Sequence, residues 1–340
     1  MKQNQTLDYS IPKEELGLPR FNKKILNWIA SENLWNIWVP KQYGGLELSF
    51  SQGLQKLKFL AKLDGSLGWC VTLCSGANYF IGNLPKKTAD DIFLTPKQPV
   101  CFGGSGGLFG TAEKQGDFYN ISGTWRYGTG APYLTHFTLN AKITEQGKEL
   151  TNNDGTPVFR SFIIPADRVN IIEDWNTMGL KATGTCSFKV DNLLVAKENS
   201  FIYNHFQLPQ PIFKINFSLF ADLTLWANYI GMAEHLQEEA IAITSSNALQ
   251  HLTSEIEKAN QQLEYFASEI EKTTHSNSFF TAEYIAKVHT TAASSVKNIT
   301  KSIVEVFPLL GVKAARNGHV LNQIFCDYFT ATQHHIFTKS

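Results

Sequence analysis

The sequence predicts an α+β chain of three units, with a β module between two helical ones. Three observations carry this prediction. Residues 101–142 open with a glycine-rich segment and then alternate apolar and polar side chains around Gly-Asp at 116–117 and Ser-Gly at 122–123, as strands joined by turns do. Ahead of them, apolar residues recur at steps of three and four. From Phe213 onward that helical period returns and holds nearly to the end. The boundaries this implies are a helical unit over 1–99, a β unit over 100–206 and a helical unit over 212–340, with QLPQP at 207–211 as the linker.

Each element has its own signal. Residues 1–20 carry two prolines and read as a lead-in. Phe21, Ile25, Trp28, Ile29 and Leu34 share one helical face, and Pro40 with Gly44 and Gly45 breaks the run. A second helix starts near Ser49, with Leu54, Leu57 and Ala61 on one side. The apolar run 66–84 is long enough for a buried helix, and 86–93 is a short amphipathic one. Strands follow from Val100, and Tyr119, Ile121, Trp125 and Tyr127 fall two or four apart on one face. VFRSFIIPA (158–166), VNIIEDWN (169–176) and CSFKVDNLLVA (186–196) continue the β pattern. The closing helices are expected over 213–236, 249–272, 279–306 and 320–337, with Pro308 ending the third. Four helices with short joints make an antiparallel bundle.

Composition narrows the function. The 340 residues suffice for a large core. Lys and Arg number 30 and so do Asp and Glu, which gives no electrostatic case for nucleic acid or an anionic membrane. Arginine is scarce: Arg20, Arg126, Arg160, Arg168 and Arg316 are the set. A phosphate would have to rely mainly on lysine, backbone N–H groups or helix N-termini. Five cysteines, an odd number with no zinc-type spacing, read as free and mostly buried thiols of a reducing cytoplasm. No run spans a bilayer, and the first residues lack the apolar segment of a secretion signal.

Four segments could carry chemistry. The run FGGSGGLFG (102–110) has neither P-loop nor dinucleotide-fold spacing. Its Gly103, Gly104 and Ser105 are either a backbone offering N–H groups to a flat ligand or a flexible connection. Trp125, Tyr127 and Thr129 combine large rings with a hydroxyl at strand spacing, which suits either an aromatic-cofactor wall or a core ring beside a surface threonine. GLKATGT (179–185), with Thr183, is a glycine-punctuated loop or a plain hairpin. His334 and His335 are adjacent, so at most one faces a given pocket, as a tunable base or as a solvated helix-end residue.

Taken in order, these segments resemble the acyl-CoA dehydrogenase superfamily of flavoproteins, in the branch with the second type of C-terminal helical domain, which includes flavin-dependent two-component monooxygenases. WVPKQYGG (38–45), DGSLGW (64–69), SGTWRYGTG (122–130), GLKATGT (179–185) and DYFTATQHH (327–335) each look like a motif of that family. The resemblance implies an N-terminal helical domain, a central β-barrel, a C-terminal four-helix bundle and a homo-oligomer, either dimer or tetramer. It implies FAD or FMN between barrel and bundle, with the ring stacked near Trp125 and Tyr127, Thr129 at its N5 edge, and Gly103, Gly104, Ser105 and Thr183 close by. It implies a small aromatic or apolar substrate oriented or deprotonated by His334, and a partner reductase supplying reduced flavin.

The chain departs from the family pattern in three places. Residues 306–326 lack the glutamate that serves dehydrogenases as base, so an acyl-CoA dehydrogenase would have to use Glu234, Glu238 or Glu239. Gln323 and Cys326 stand where the family carries arginines, and 213–306 contain no arginine at all. A non-catalytic descendant with a degenerate flavin site is the third expectation, and the missing arginines motivate it.

Overall fold

Local chemistry sets the first helical layer. The computed structural model describes residues 13–95, 99–276 and 278–337. The first twelve residues of the expected lead-in lie outside that range. Helix α1 (Lys23–Ser31) starts where the Asn22 side chain accepts from the N–H groups of Lys24 and Ile25. Helix α2 (Phe50–Leu63) opens on a capping box between Ser49 and Gln52. Asp64 ends α2 and caps α3 (Gly65–Asn78), accepting from the Leu67 N–H at 2.7 Å. Helix α3 is apolar nearly all round and buried almost throughout, so it serves as a central post. Gly68 lets it touch α2 closely, since a Cβ there would sit 2.3 Å from the Ala61 Cα. Helix α4 (Lys86–Phe93) closes the layer.

The β unit is one sheet: β1 (Phe102–Gln115), β2 (Phe118–Gly128), β3 (His136–Glu145), β4 (Lys148–Glu149), β5 (Phe159–Pro165), β6 (Asn170–Ile172), β7 (Cys186–Ala196) and β8 (Ser200–Phe201). The order is β6-β7-β2-β1-β3-β5-β8, with β4 on β3. The pair β1–β3 is parallel, and the others are antiparallel. The end strands β6 and β8 do not pair with each other, so the expected barrel is an open sheet by its hydrogen bonds. Trp125, Phe137, Phe162 and Phe188 fill its inner face. Asn140 ties that interior together: its carbonyl accepts from Trp125 Nε1 at 2.8 Å, its amide donates to the Gly106 carbonyl, and its Oδ1 accepts from Ser161 and Tyr203.

The C-terminal helices are α5 (Phe217–Ile241), α6 (Ser246–His275), α7 (Ala282–Val306), the short α8 (Gly311–Ala314) and α9 (Val320–Ala331). Helix α5 is the hub. It packs against α6, α7 and α9 on one side and α2 and α3 on the other. Gly231 permits the α2 contact, since a Cβ there would lie 2.2 Å from the Lys58 carbonyl oxygen. Helix α9 stops at Ala331, short of the expected 337, and His334 lies in the turns that follow. Among the described residues no helix is long and apolar enough to cross a membrane.

Candidate functional site

The site forms where the end of β2, the loop 173–185 and helix α9 meet beside α3. Strand β2 ends irregularly, with a register shift against β7 between Trp125 and Gly128. Tyr127 sits in that shift with φ +66°, a left-handed backbone that costs a bulky residue strain. The bulge aims its ring outward, and Tyr127 is 65% exposed. Trp125 goes the other way. It is 0% exposed, with its ring stacked on Phe188 at 5.7 Å. Gly110 and Gly123 press on its edge, where a Cβ would come within 2.3 and 2.8 Å of ring carbons. Trp125 therefore has no free face to offer a ligand. The expected stacking role does not suit it, and the exposed ring of the segment belongs to Tyr127.

Thr129 and Thr183, which belong to separate sequence motifs, come together. Thr129 Oγ1 is 3.2 Å from Thr185 Oγ1, which is 2.7 Å from Thr183 Oγ1. Thr183 Oγ1 donates to the Leu180 carbonyl at 2.7 Å. Backbone bonds lock the same corner: the Gly130 N–H donates to the Thr183 carbonyl at 2.8 Å, and the Tyr133 hydroxyl donates to the Ala182 carbonyl at 2.9 Å. From α3, the thiols of Cys70 and Cys74 lie behind Gly130, and Cys74 Sγ reaches the Thr129 carbonyl at 3.8 Å. Cys70, Cys74, Cys101 and Cys186 are free and buried, and Cys326 is free and half-buried.

The glycine run departs from expectation. Gly103, Gly104 and Ser105 are strand, paired with Phe137, Thr138 and Leu139 of β3. Gly104 has φ +155°, and a Cβ there would lie 1.8 Å from the Thr138 carbonyl oxygen. These glycines admit close strand contact and carry a bulge; they do not form a loop of spare N–H groups. Gly103 still bears on the site from behind, since its Cβ position is 2.8 Å from the Thr129 carbonyl oxygen.

Helix α9 supplies an anchor that sequence reasoning missed. Asp327 is buried, and its Oδ1 accepts from the Leu180 N–H at 2.5 Å. Leu180 is itself left-handed, φ +51°, and its carbonyl also accepts from Trp175 Nε1 at 2.9 Å. Gly179 lets the loop lie on α9, for a Cβ would be 2.1 Å from the Cys326 carbonyl oxygen. A second buried carboxylate, Asp64, accepts from the Gly17 N–H at 3.1 Å and from Gln323 Nε2 at 3.2 Å. Burial, and after it the Asp64 charge, push the Asp327 carboxyl up to about 7. Gln323, at an expected arginine position, thus serves as an uncharged partner to Asp64. The available signal was an aspartate inside the apolar run Ile324–Tyr328; its partner on the loop could not be read from spacing.

His334 packs edge-on to Trp69 of α3 at 5.6 Å and beside His335 at 4.6 Å. Its Nδ1 accepts from the Ile336 N–H at 3.4 Å. Burial pushes the imidazole down to about 4, so it is neutral near pH 7 and a weak base. Two of the three glutamates of the dehydrogenase alternative are engaged elsewhere. Glu234 faces Lys58 at 3.6 Å and accepts from Asn260, and Glu238 bridges Lys62 at 2.5 Å.

Residues 224–339 match the family model "Acyl-CoA dehydrogenase, C-terminal domain". The C-terminal helical region is thus similar to the C-terminal domain of that family. The chain is 28% identical over 244 residues to an indole-3-acetate monooxygenase of Acinetobacter baumannii, covering 71% of this chain and 59% of that protein. It thus spans less than two thirds of that relative's length. In fold it resembles the 3-HSA hydroxylase of Rhodococcus sp. RHA1, with TM-score 0.87, 18% identity and coverage of 96% and 89% of the two chains. It also resembles XiaF from Streptomyces sp., solved in complex with FADH2 and glycerol, with TM-score 0.84, 18% identity and coverage of 95% and 87%.

Proposed function

We propose that the chain is the oxygenase component of a two-component flavin-dependent monooxygenase acting on a small aromatic or apolar substrate. The observation that carries this reading is the Thr129–Thr185–Thr183 hydroxyl chain beside the outward-turned Tyr127. Those residues suit a flavin's ring. Tyr127 presents an exposed aromatic face for stacking, on a strained backbone of the kind that persists at functional sites. Thr129 presents a hydroxyl for the N5 edge, and the loop carrying Thr183 backs it. The phosphates have a poorer seat. Helices α5 to α7 contain no arginine, so FMN, or FAD held mainly by its ring, fits better than a diphosphate clamp.

Bound flavin supplies the oxygen-activating chemistry. The residues of the chain bind, orient and exclude water. Trp125 and Phe188 form the dry floor beneath the β2 bulge. His334, neutral and seated on Trp69, orients a substrate oxygen or nitrogen by hydrogen bonding and is not charged at working pH. A reductase partner delivers the reduced flavin, as the names of oxygenase-component relatives suggest. The homo-oligomer, dimer or tetramer, finds support in exposed apolar side chains near the unpaired edge: Ile171 and Ile172 on β6, and Met178 in the loop beyond.

The test is an anaerobic titration of the protein with oxidised and reduced FMN and FAD, followed by size determination with and without flavin. Saturable binding of at least one reduced flavin is expected, weakened by Tyr127→Ala. A protein that binds no flavin in either redox state is the degenerate descendant, and the monooxygenase reading fails.

A further inference from the structure

The hydroxyl chain has a direction. A threonine hydroxyl carries a single proton. The Leu180 carbonyl can only accept, so Thr183 places its proton there at 2.7 Å. The proton between Thr183 and Thr185, whose oxygens are 2.7 Å apart, must then come from Thr185. With that proton committed, the one between Thr185 and Thr129 at 3.2 Å must come from Thr129. Reversing the whole chain would set the Thr183 oxygen against the Leu180 carbonyl oxygen, and reversing only the Thr185–Thr129 link would set the oxygens of Thr183 and Thr185 against each other, lone pair to lone pair. All three threonines are buried, where an unmade hydrogen bond is costly.

The far end cannot easily turn to relieve such a clash. The Leu180 carbonyl is fixed by Trp175 Nε1, and the Leu180 N–H is fixed by Asp327 on α9. The chain therefore runs one way, from Thr129 through Thr185 and Thr183 to a locked carbonyl. Thr129 meets whatever is laid against its outer side with lone pairs alone.

We propose that Thr185 is a positioning residue: it holds the Thr129 hydroxyl as a hydrogen-bond acceptor, and through it the site distinguishes reduced from oxidised flavin. This rests on the reading of the site as a flavin site. A reduced flavin ring carries an N–H at N5, which Thr129 can accept. An oxidised ring has a bare nitrogen acceptor there, which would face the lone pairs of Thr129. No charged group takes part in the chain, so the discrimination comes from hydroxyl orientation.

The experiment compares the full-length protein with Thr185→Val and Thr185→Ser. Each is titrated anaerobically with oxidised and dithionite-reduced FMN and FAD, and the midpoint potential of bound FMN is measured. Thermal melting checks that each variant is folded. Thr185→Val removes both the acceptor for Thr129 and the donor to Thr183 at constant volume. It frees the Thr129 hydroxyl to turn outward and donate.

The expected result is tighter binding of the reduced form by the wild type and a ratio of affinities that falls about fivefold to tenfold in Thr185→Val. The potential of bound FMN falls in Thr185→Val in step with that ratio, and Thr185→Ser stays within about twofold of wild type. Should Thr185→Val fail to fold, Thr129→Val is read instead, with the same loss of ratio expected through weaker binding of the reduced form. An unchanged ratio in a folded Thr185→Val overturns the proposal and leaves the flavin site standing, as does a wild type that prefers oxidised flavin. Absence of binding by the wild type overturns the flavin site itself, and the proposal with it.

Discussion

Replacing Asp327 by asparagine should change how stability depends on pH. Burial is the main cause and the Asp64 charge the next, and together they move the Asp327 carboxyl from 3.8 to about 7. The sign follows from proton uptake. Between these values the folded protein holds a proton that the unfolded chain releases, so this group's contribution is fully present below about pH 4 and is lost as pH rises through 7. At 1.36 kcal/mol per pH unit, the three-unit gap amounts to at most about 4 kcal/mol. Asparagine keeps an oxygen for the Leu180 N–H, offers N–H groups toward Asp64, and does not titrate. Urea unfolding of both proteins at pH 5 and pH 8 measures the effect. The stability of Asp327→Asn relative to wild type should rise by about 2–3 kcal/mol between those pH values, the share of the gap that lies above pH 5. A difference that stays constant with pH would refute the argument that Asp327 keeps its proton near neutrality.

Three further outcomes follow from the same geometry. Gly179→Ala drives a Cβ into the α9 backbone at 2.1 Å from the Cys326 carbonyl oxygen, so it should cost about 1–3 kcal/mol and weaken reduced-flavin binding, read by thermal melting and titration. Trp125→Phe and Tyr127→Ala should separate: the first loses the bond to the Asn140 carbonyl and destabilises by about 1–3 kcal/mol with little effect on flavin affinity, and the second leaves stability nearly unchanged while lowering flavin affinity. His334→Asn should weaken substrate binding yet leave the shape of the pH–rate profile between pH 5.5 and 8 unchanged, because burial holds His334 at about 4; loss of a limb near pH 6.5 would show that it titrates in that range.

Much of this architecture was legible in the sequence because period and caps agree. The faces of Ile25–Trp28–Ile29 and Leu54–Leu57–Ala61 became α1 and α2, and the alternation of Tyr119 and Ile121 became β2. The misreadings have local causes. Glycines have no side chains to alternate, so 102–110 did not reveal that its backbone is taken up by pairing along β3. Trp125 and Tyr127 share parity, which puts them on one face of a regular strand; the register shift beside Tyr127 separates them, and no composition rule marks a bulge with a left-handed tyrosine. An open sheet and a closed barrel have the same alternation, and only the absence of a β6–β8 pairing tells them apart.

The site was legible as residue types and not as contacts. Thr129 and Thr183 lie in separate motifs, and the link between them, Thr185, depends on side-chain orientations that spacing does not encode. Asp327 lay in a recognised motif, but its hold on Leu180 spans 147 residues. His334 was expected on a helix; three residues past the end of α9 it instead turns onto Trp69, and its burial there removes the basicity that made it attractive as a base.

The most direct test of the account is isotopic. The protein is supplied with enzymatically reduced FMN or FAD and ¹⁸O₂, in the presence of a panel of indoles and phenols, and products are weighed by mass spectrometry. The account predicts a product bearing one ¹⁸O atom, formed only with reduced flavin and lost in Tyr127→Ala. Flavin oxidation at the rate of free flavin, with no labelled product from any member of the panel and no saturable flavin binding, would contradict it.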